Sequence, residues 1–205
     1  KVKKEAGLKE LQNTKKKMVF RMAPFPSGAL HIGNMKTYLL NALYAEKYKG
    51  SVLLVIDDTI GSKEKSIDVD AYKLIPEAFD LLKVKYKKPI VFKSDRLKIY
   101  YRYAEKLIRK KKAYVCSCSQ EIIRNNRIKK VECGCTRWST KDQMKRWKEM
   151  FKSKEGSYVL RIKSGMKHPN PAFRDRVLFR ISERSHSKVG KKYTVWPLLE
   201  FSWAI

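Results

Sequence analysis

A sharp change of pattern occurs at Arg21-Met-Ala-Pro-Phe-Pro-Ser-Gly-Ala-Leu-His-Ile-Gly-Asn34. Before it, Lys17-Met-Val-Phe-Arg-Met22 is a short apolar run of strand length. Within it, two prolines and a glycine prevent regular structure from continuing. After it, residues 34–48 carry apolar side chains at helical spacing. The sequence therefore predicts a strand, a stiff turn and a helix, in this order.

The alternation of strand and helix patterns continues as far as Phe92. It predicts strands at 52–56 and 90–92 and a helix at 71–83. Such alternation is typical of an α/β fold, in which helices cross over between the strands of a parallel sheet. Asp95 is then expected to cap a long amphipathic helix that ends near Lys111.

Beyond Lys112 the pattern becomes irregular, with a helix predicted near 141–151 and β-like runs at 158–162 and 177–181. An apolar pattern resumes at Tyr193. We therefore divide the chain into a basic, flexible lead-in 1–17, the first half of a nucleotide-binding α/β domain 18–112, an α+β insertion 113–189 and a return to the first fold at 190–205.

The turn and the start of the helix have the chemistry of a nucleotide-binding corner. The amino end of a helix offers unpaired backbone N–H donors and the positive pole of its dipole, which favour a triphosphate. Gly33, which lacks a β-carbon, lets a flat base or a ribose approach the backbone. His31 can donate to a phosphate oxygen and stabilise charge that develops in a transition state. The alternative is that His31 only caps the helix and the glycines only serve the turn.

The charge balance indicates a polyanionic partner. The 205 residues include 48 Lys and Arg against 20 Asp and Glu, which gives a formal charge of +28, more than solubility requires. Nucleic acid is the leading candidate, and the alternative is a set of solvated, lysine-rich helix faces. A membrane partner is not expected, because the sequence shows no apolar run of about 18 residues and no signal peptide. We expect a soluble, cytoplasmic protein.

Four cysteines form two close pairs, Cys116-Ser-Cys118 and Cys133-Gly-Cys135. Four soft ligands with this spacing suit tetrahedral zinc, and the residues between the pairs would form a knuckle. Two alternatives remain, four unligated thiols or two disulfides. Disulfides form in oxidising compartments. The expected location in the cytoplasm therefore disfavours the disulfide alternative.

Taken together, these segments resemble a known family. Residues 24–34 resemble the "HIGH" signature region of class I aminoacyl-tRNA synthetases, in the form carried by glutamyl-tRNA synthetases of the archaeal and eukaryotic type. The resemblance extends from about Met18 to Ile205. Five further segments match in the family's order: Lys49-Gly-Ser-Val-Leu-Leu-Val-Ile-Asp-Asp-Thr59, Ser94-Asp-Arg-Leu-Lys-Ile-Tyr-Tyr101, Gly156-Ser-Tyr-Val-Leu-Arg-Ile-Lys163, His168-Pro-Asn-Pro-Ala-Phe-Arg-Asp175 and Lys192-Tyr-Thr-Val-Trp-Pro197.

The resemblance implies a Rossmann-like class I synthetase catalytic domain, here its first half, with a zinc-containing insertion that binds the tRNA acceptor end. It implies ATP-dependent activation of glutamate to glutamyl-adenylate and transfer of the glutamyl group to the 3′ end of tRNA. The implied ligands are ATP with Mg²⁺, Zn²⁺, glutamate and tRNA, with tRNA-Glu as the expected species.

The resemblance also implies roles for individual residues, which we assign to the positions of this sequence that match the family's motifs. His31 and Asn34 are the expected catalytic residues, and the cysteines Cys116, Cys118, Cys133 and Cys135 the zinc ligands. ATP is expected to contact Pro24, Gly28, His31, Gly33 and Asn34. For glutamate, Arg21 can clamp a carboxylate with two parallel hydrogen bonds and Asp57 can receive the α-ammonium group. Ser27 lies in the segment that closes over this substrate in the family.

The chain also departs from the family pattern. Asn34 replaces the second histidine of the signature, and Cys135 stands where the family's zinc site typically has histidine. Val55 and Ile60 replace charged or polar residues, and Leu199 replaces a tyrosine often found against the substrate side chain, which puts glutamate specificity in question.

The second half of the family's nucleotide fold and its anticodon-binding domain have no counterpart in these 205 residues. We therefore expect a fragment, or one half of an enzyme whose carboxyl-terminal half is supplied in cis or in trans. The alternatives are a non-catalytic or split RNA-binding module, and a paralogue of the glutamyl-queuosine type that acts on a modified tRNA base.

Overall fold

The computed structural model describes residues 7–60 and 66–205, which form two compact units. The first unit comprises residues 7–58 and 66–92. The second comprises residues 59–60 and 93–205. Each unit has its own sheet and its own apolar core.

The first unit is built on a three-stranded parallel sheet in the order β1-β2-β3. Parallel neighbours need a crossover connection, and one helix supplies each. The elements are β1 (Val19–Met22), α1 (Ile32–Lys47), β2 (Ser51–Ile56), α2 (Ala71–Leu81) and β3 (Lys87–Phe92). The predicted α/β fold with a parallel sheet is confirmed.

The core of this unit lies around the central strand. Leu54 and Ile56 of β2 are buried, and Ile75 and Phe79, one helical turn apart on α2, are buried in the same cluster. Gly50 precedes β2 at a point where a β-carbon would lie 2.8 Å from the carbonyl oxygen of Met18. Only glycine allows the two chain segments to approach this closely.

Part of the predicted lead-in contacts the carboxyl end of α1. Lys47 Nζ lies 2.6 Å from Glu10 Oε1, and the Leu11 backbone N–H donates to the Tyr48 hydroxyl at 2.7 Å. The residues before Gly7 lie outside the described part of the chain.

The second unit contains a four-stranded antiparallel sheet in the order β4-β5-β6-β7. Helices α3 and α5 pack together with this sheet around Trp147 and Phe179, which are fully buried. The elements are α3 (Leu97–Arg109), β4 (Ala113–Cys116), α4 (Gln120–Lys129), α5 (Thr140–Met150), β5 (Val159–Ile162), β6 (Val177–Ile181), β7 (Val195–Pro197) and α6 (Leu199–Ser202).

The predicted cap of α3 by Asp95 is wrong. Residues 93–96 form a 3₁₀ turn, and α3 begins at Leu97 without a side-chain cap. The carboxylate of Asp95 instead accepts a hydrogen bond from Lys188 Nζ at 2.5 Å. Asp95 thus pairs with Lys188, 93 positions along the chain, and not with the backbone N–H groups at the start of α3.

Two further elements belong to the second unit. Helix α3 packs there, although the sequence assigned it to the first half of the nucleotide fold, and β7 pairs with β6. The predicted segment boundaries at 112 and 189 remain predictions. Within the described ranges, every helix is too short or too polar to cross a bilayer.

Candidate functional site

The turn after β1 is held by backbone hydrogen bonds to two other parts of the first unit. The carbonyl of Pro24 accepts from the Asp57 N–H at 2.9 Å, and the carbonyl of Pro26 accepts from the Asp68 N–H at 2.9 Å. Both prolines are buried. Gly28 has φ of +139°, a backbone conformation that favours glycine. The turn therefore has a defined shape that its prolines, its glycine and its two neighbours impose together.

His31 occupies the N-cap position of α1. Its Nδ1 accepts a hydrogen bond from the Gly33 backbone N–H at 3.1 Å, so the capping role proposed as the alternative is present. Because Nδ1 accepts, the proton of the neutral imidazole belongs on Nε2, which is then available as a donor. The His31 ring is exposed. Capping uses Nδ1 and leaves Nε2 open, so the conformation that caps the helix would also allow donation to a ligand.

Gly33 lies directly against the His31 ring. A β-carbon at Gly33 would be 3.0 Å from His31 Cε1 and 3.1 Å from Nδ1. The first turn of α1 carries no acidic side chain, and Asn34 lies half-buried in it. The amino end of this 16-residue helix therefore presents its positive pole without an internal carboxylate that would compete with an anionic ligand.

The carboxyl end of β2 contributes two buried carboxylates. Asp57 is 5% exposed and Asp58 is 0% exposed. Asp57 is bound to the turn through its backbone bond to Pro24, and Asp58 accepts from the Tyr72 hydroxyl at 3.1 Å. Arg21 and Ser27 are exposed. The structure thus brings Asp57 to the turn that carries the predicted ATP contacts.

Two acidic residues near the turn were missed at the sequence level. Asp58 is the second member of the Asp-Asp pair after β2, and its position after a buried strand was an available signal. Asp68 lies beside the turn, because its Oδ2 would be 3.8 Å from a β-carbon on Gly28. The Asp68 side chain also accepts from the Asp70 N–H at 3.0 Å, just before α2.

The four cysteines of the second unit form one cluster. Their sulfur atoms all lie within 4.8 Å of one another, with Cys116–Cys133 at 3.8 Å and Cys118–Cys135 at 4.0 Å. All four are free thiols, so the disulfide alternative is absent from this structure. Zinc–sulfur bonds of about 2.3 Å in a tetrahedron place sulfur atoms about 3.8 Å apart. The spacing of the cluster fits a zinc ion.

Gln143 of α5 joins this knuckle, defined as residues 116–135, to the sheet. Its side-chain amide donates to the Cys135 carbonyl at 2.7 Å and accepts from the Val115 N–H at 2.7 Å. A hydrogen bond from Cys116 lowers the pKa of Cys133 to about 5. The same hydrogen bond, with burial, raises the pKa of Cys116. The cluster therefore already favours one thiolate, the form in which cysteine binds metal.

A basic cavity adjoins the knuckle. It has a volume of about 320 Å³, and none of the side chains that line it is acidic. Three of them are cations, Lys111, Arg137 and Lys163. The half-exposed Trp138 also lines it, with its ring centre 3.5 Å from the guanidinium carbon of Arg146. Cations beside an aromatic ring suit a phosphate and an adjoining base.

Comparisons with known proteins agree with this geometry. A family model described as "tRNA synthetases class I (E and Q), catalytic domain" matches residues 17–205. The chain is 42% identical over 205 residues to a glutamate–tRNA ligase from Methanothermobacter thermautotrophicus, and 44% identical over 203 residues to one from Pyrococcus horikoshii. These matches cover 100% and 97% of this chain but only 36% and 35% of the relatives.

Solved structures show the same fold. The crystal structure of a glutamate tRNA ligase from Elizabethkingia meningosepticum in complex with its amino acid matches 91% of this chain and 41% of that protein. The TM-score is 0.62 at 22% sequence identity. The glutamate–tRNA synthetase of Elizabethkingia anophelis matches with a TM-score of 0.61 at 21% identity.

Proposed function

Because the chain belongs to the class I tRNA synthetases, in the catalytic-domain family of the glutamate and glutamine enzymes, we propose that it is the amino-terminal catalytic portion of a glutamate–tRNA ligase. The chain spans about a third of the length of its curated relatives. The rest of the enzyme would be supplied in cis or in trans, and the enzyme would work in the cytoplasm. The observation that carries the proposal is the arrangement of Pro24, His31 and Gly33 at the carboxyl end of a parallel sheet.

The proposed reaction needs alignment more than covalent chemistry. The glutamate carboxylate attacks the α-phosphorus of ATP in line, and pyrophosphate leaves. The amino end of α1 would receive the phosphates, with the Nε2 proton of His31 and the amide of Asn34 as donors to developing charge. Pro24, Gly28 and Gly33 would shape the surface against the nucleotide. Mg²⁺ would enter with ATP and neutralise phosphate charge.

Glutamate would be selected at the same edge of the sheet. Arg21 would clamp one carboxylate with its planar guanidinium, and Asp57 would receive the α-ammonium group. Ser27, in the exposed part of the turn, would close over the substrate. Burial of Asp57 supports this role, because a carboxylate with little access to water interacts more strongly with an ammonium group.

The second unit is proposed to bind the acceptor end of tRNA. The formal charge of +28 and the cation-lined cavity beside the knuckle support an RNA partner. Zinc on Cys116, Cys118, Cys133 and Cys135 would hold the knuckle in shape. The sulfur spacing and the depressed pKa of Cys133 support this zinc site.

The test is amino-acid-dependent pyrophosphate exchange by the longest natural form of this chain, with glutamate, glutamine and aspartate compared in the presence of ATP and tRNA. We expect exchange with glutamate and its loss in His31→Ala. Saturable ATP binding without exchange by the complete protein would contradict the ligase proposal and favour a non-catalytic RNA-binding module. Exchange with another amino acid would contradict glutamate specificity.

A further inference from the structure

Arg161, in the middle of β5, is a buried cation beside the cysteine cluster. Its side chain is 0% exposed. A buried charge is costly unless groups of opposite charge or good hydrogen-bond partners compensate it. The partners of Arg161 therefore indicate what the site is built to hold.

Its hydrogen-bond partners are a carbonyl and three sulfur atoms, and its guanidinium carbon also lies 5.4 Å from the centre of the Tyr114 ring. Arg161 Nε donates to the Asp175 backbone carbonyl at 2.9 Å, and Nη2 approaches Met166 Sδ at 3.5 Å. Nη1 donates to two sulfur atoms, Cys116 Sγ and Cys133 Sγ, each at 3.9 Å. Among the described residues, no carboxylate hydrogen-bonds to Arg161.

The carboxylate of Asp175, whose backbone carbonyl accepts from Arg161, has other partners. It accepts from the Tyr114 hydroxyl at 2.9 Å and from the backbone N–H groups of Ser164 and Gly165 at 2.9 and 2.7 Å. Within residues 7–60 and 66–205, the atoms that can carry negative charge and also accept from the guanidinium are the sulfur atoms of Cys116 and Cys133.

A four-thiolate zinc site has the complementary charge. Zinc bound by four thiolates keeps a net double negative charge, because each thiolate brings one negative charge and the ion brings two positive ones. A single arginine with N–H groups directed at two of the sulfurs offsets part of this excess. Groups in this outer position commonly control metal affinity.

We propose that Arg161 is the built-in counter-ion of the four-thiolate centre, and that its N–H···S contacts set how slowly the metal is released. Arg161 is a positioning residue and not a ligand. The inference rests on the proposed zinc site and extends it to a residue 26 positions beyond the last ligand, Cys135. It also accounts for a buried guanidinium that would otherwise lack a charged partner.

The test compares zinc-loaded chain with Arg161→Met and Arg161→Lys variants. Release of zinc to a chromogenic chelator is followed over time, and the sulfur-to-metal charge-transfer band is recorded after cobalt substitution. We expect zinc release from Arg161→Met to be about tenfold faster than from the natural protein. The release rate of Arg161→Lys should lie between those of Arg161→Met and the natural protein. We also expect the band of Arg161→Met to shift to lower energy, because removing an N–H donor raises the energy of the sulfur lone pairs.

The matched control is Arg180→Met, which removes a half-buried arginine from the neighbouring strand β6 that has no sulfur contact. It should release zinc at the natural rate. Equal acceleration by Arg161→Met and Arg180→Met would overturn the inference, since it would indicate general weakening of the sheet. Unchanged release and an unshifted band in both Arg161 variants would also overturn it.

Two other outcomes are separable. If the natural chain binds no zinc, the proposed metal site fails, and the counter-ion role fails with it. If Arg161→Met does not fold, Arg161→Lys decides, because it keeps the charge but loses the planar fork. A natural release rate and an unshifted band in Arg161→Lys would then refute the role of the N–H···S contacts.

Discussion

His31 and Gly33 are in direct contact, because His31 Nδ1 accepts a hydrogen bond from the Gly33 backbone N–H at 3.1 Å. In Gly33→Ala the new β-carbon would lie 3.0 Å from His31 Cε1, so the imidazole must shift by a few tenths of an ångström. Since a misplacement of about 1 Å costs about 10²-fold in rate, this smaller shift of the proposed catalytic imidazole should cost on the order of tenfold. We therefore expect a loss of this order in pyrophosphate exchange by the complete enzyme.

A double variant tests whether the effects of the His31 and Gly33 substitutions are additive. Because both substitutions remove the same placement of the imidazole, Gly33→Ala combined with His31→Ala should lose little more than His31→Ala alone. Gly7→Ala is the control, because a β-carbon there would meet nothing within 4 Å. Additive losses in the double variant would show that the two residues act independently.

Arg21 is proposed to bind the glutamate carboxylate, so its substitution should separate glutamate recognition from ATP binding. Arg21→Lys keeps the charge and removes the planar fork that suits a carboxylate. We expect the KM for glutamate to rise about tenfold, which corresponds to a lost charged hydrogen bond, with the KM for ATP unchanged. Steady-state exchange with each substrate varied in turn measures both. A parallel rise in both KM values would exclude a specific role in glutamate binding.

Some of the site was accessible from the sequence because its cause is local. Prolines and glycines between residues 24 and 33 prevent regular structure from continuing, whatever surrounds them. Asp58 carried a signal in its position directly after a buried strand, whereas the position of Asp68 depends on another segment. Asp58 is held by Tyr72 of α2, and the backbone of Asp68 is bound to Pro26.

At the scale of elements, α4 lies between the two cysteine pairs, and its stability is expected to depend on the cysteine cluster. None of its residues is buried, and Ile123 is its contact with the cysteine cluster. A ten-residue helix without a packed face is marginal in water. We expect metal removal by a chelator to abolish hydrogen-exchange protection in α4 while α3 and α5, which have buried faces, keep theirs.

Exchange measured by mass spectrometry before and after chelation resolves the three helices. Helix α2 in the other unit serves as the internal reference. Protection of α4 that survives complete metal removal would show that the helix does not rely on the metal centre. Restoration by added zinc, but not by magnesium, would confirm a thiolate site.

Element identity was easier to predict than the assignment of elements to a sheet. The amphipathic stripe of α3 is plain in the sequence, yet it does not say which sheet the helix covers. The same holds for β7, whose three residues show only that they are apolar. Asp95 failed as a cap because Lys188, far along the chain, offers a charged partner that local patterning cannot reveal.

At the scale of the molecule, charge should dominate RNA binding. Association with tRNA is expected to weaken steeply with salt, because each neutralised phosphate releases counter-ions. Lys111→Gln with Lys163→Gln removes two of the three cations at the cavity and should lower the salt slope by about two. Fluorescence anisotropy with labelled tRNA at several salt concentrations measures the slope.

The control exchanges two exposed lysines outside the cavity, Lys73→Gln and Lys98→Gln. Their effect on the slope should be smaller. Equal salt slopes for the two double variants would mean that the positive charge attracts tRNA over the whole surface and that the cavity is not a preferred phosphate site. The net charge could be predicted from the composition. The clustering of cations beside the knuckle could not, because it depends on how the chain folds.

The sulfur contacts between the two cysteine pairs also affect how freely the segment between them can vary in evolution. Cys116 and Cys118 meet Cys133 and Cys135, so the chain returns almost to the point at which it left the sheet. Lengthening or shortening the excursion between the pairs leaves the strand register of β4 and β5 untouched, and closing a longer loop adds little entropic cost. Residues 119–132 can therefore be remodelled while the supporting sheet is inherited unchanged.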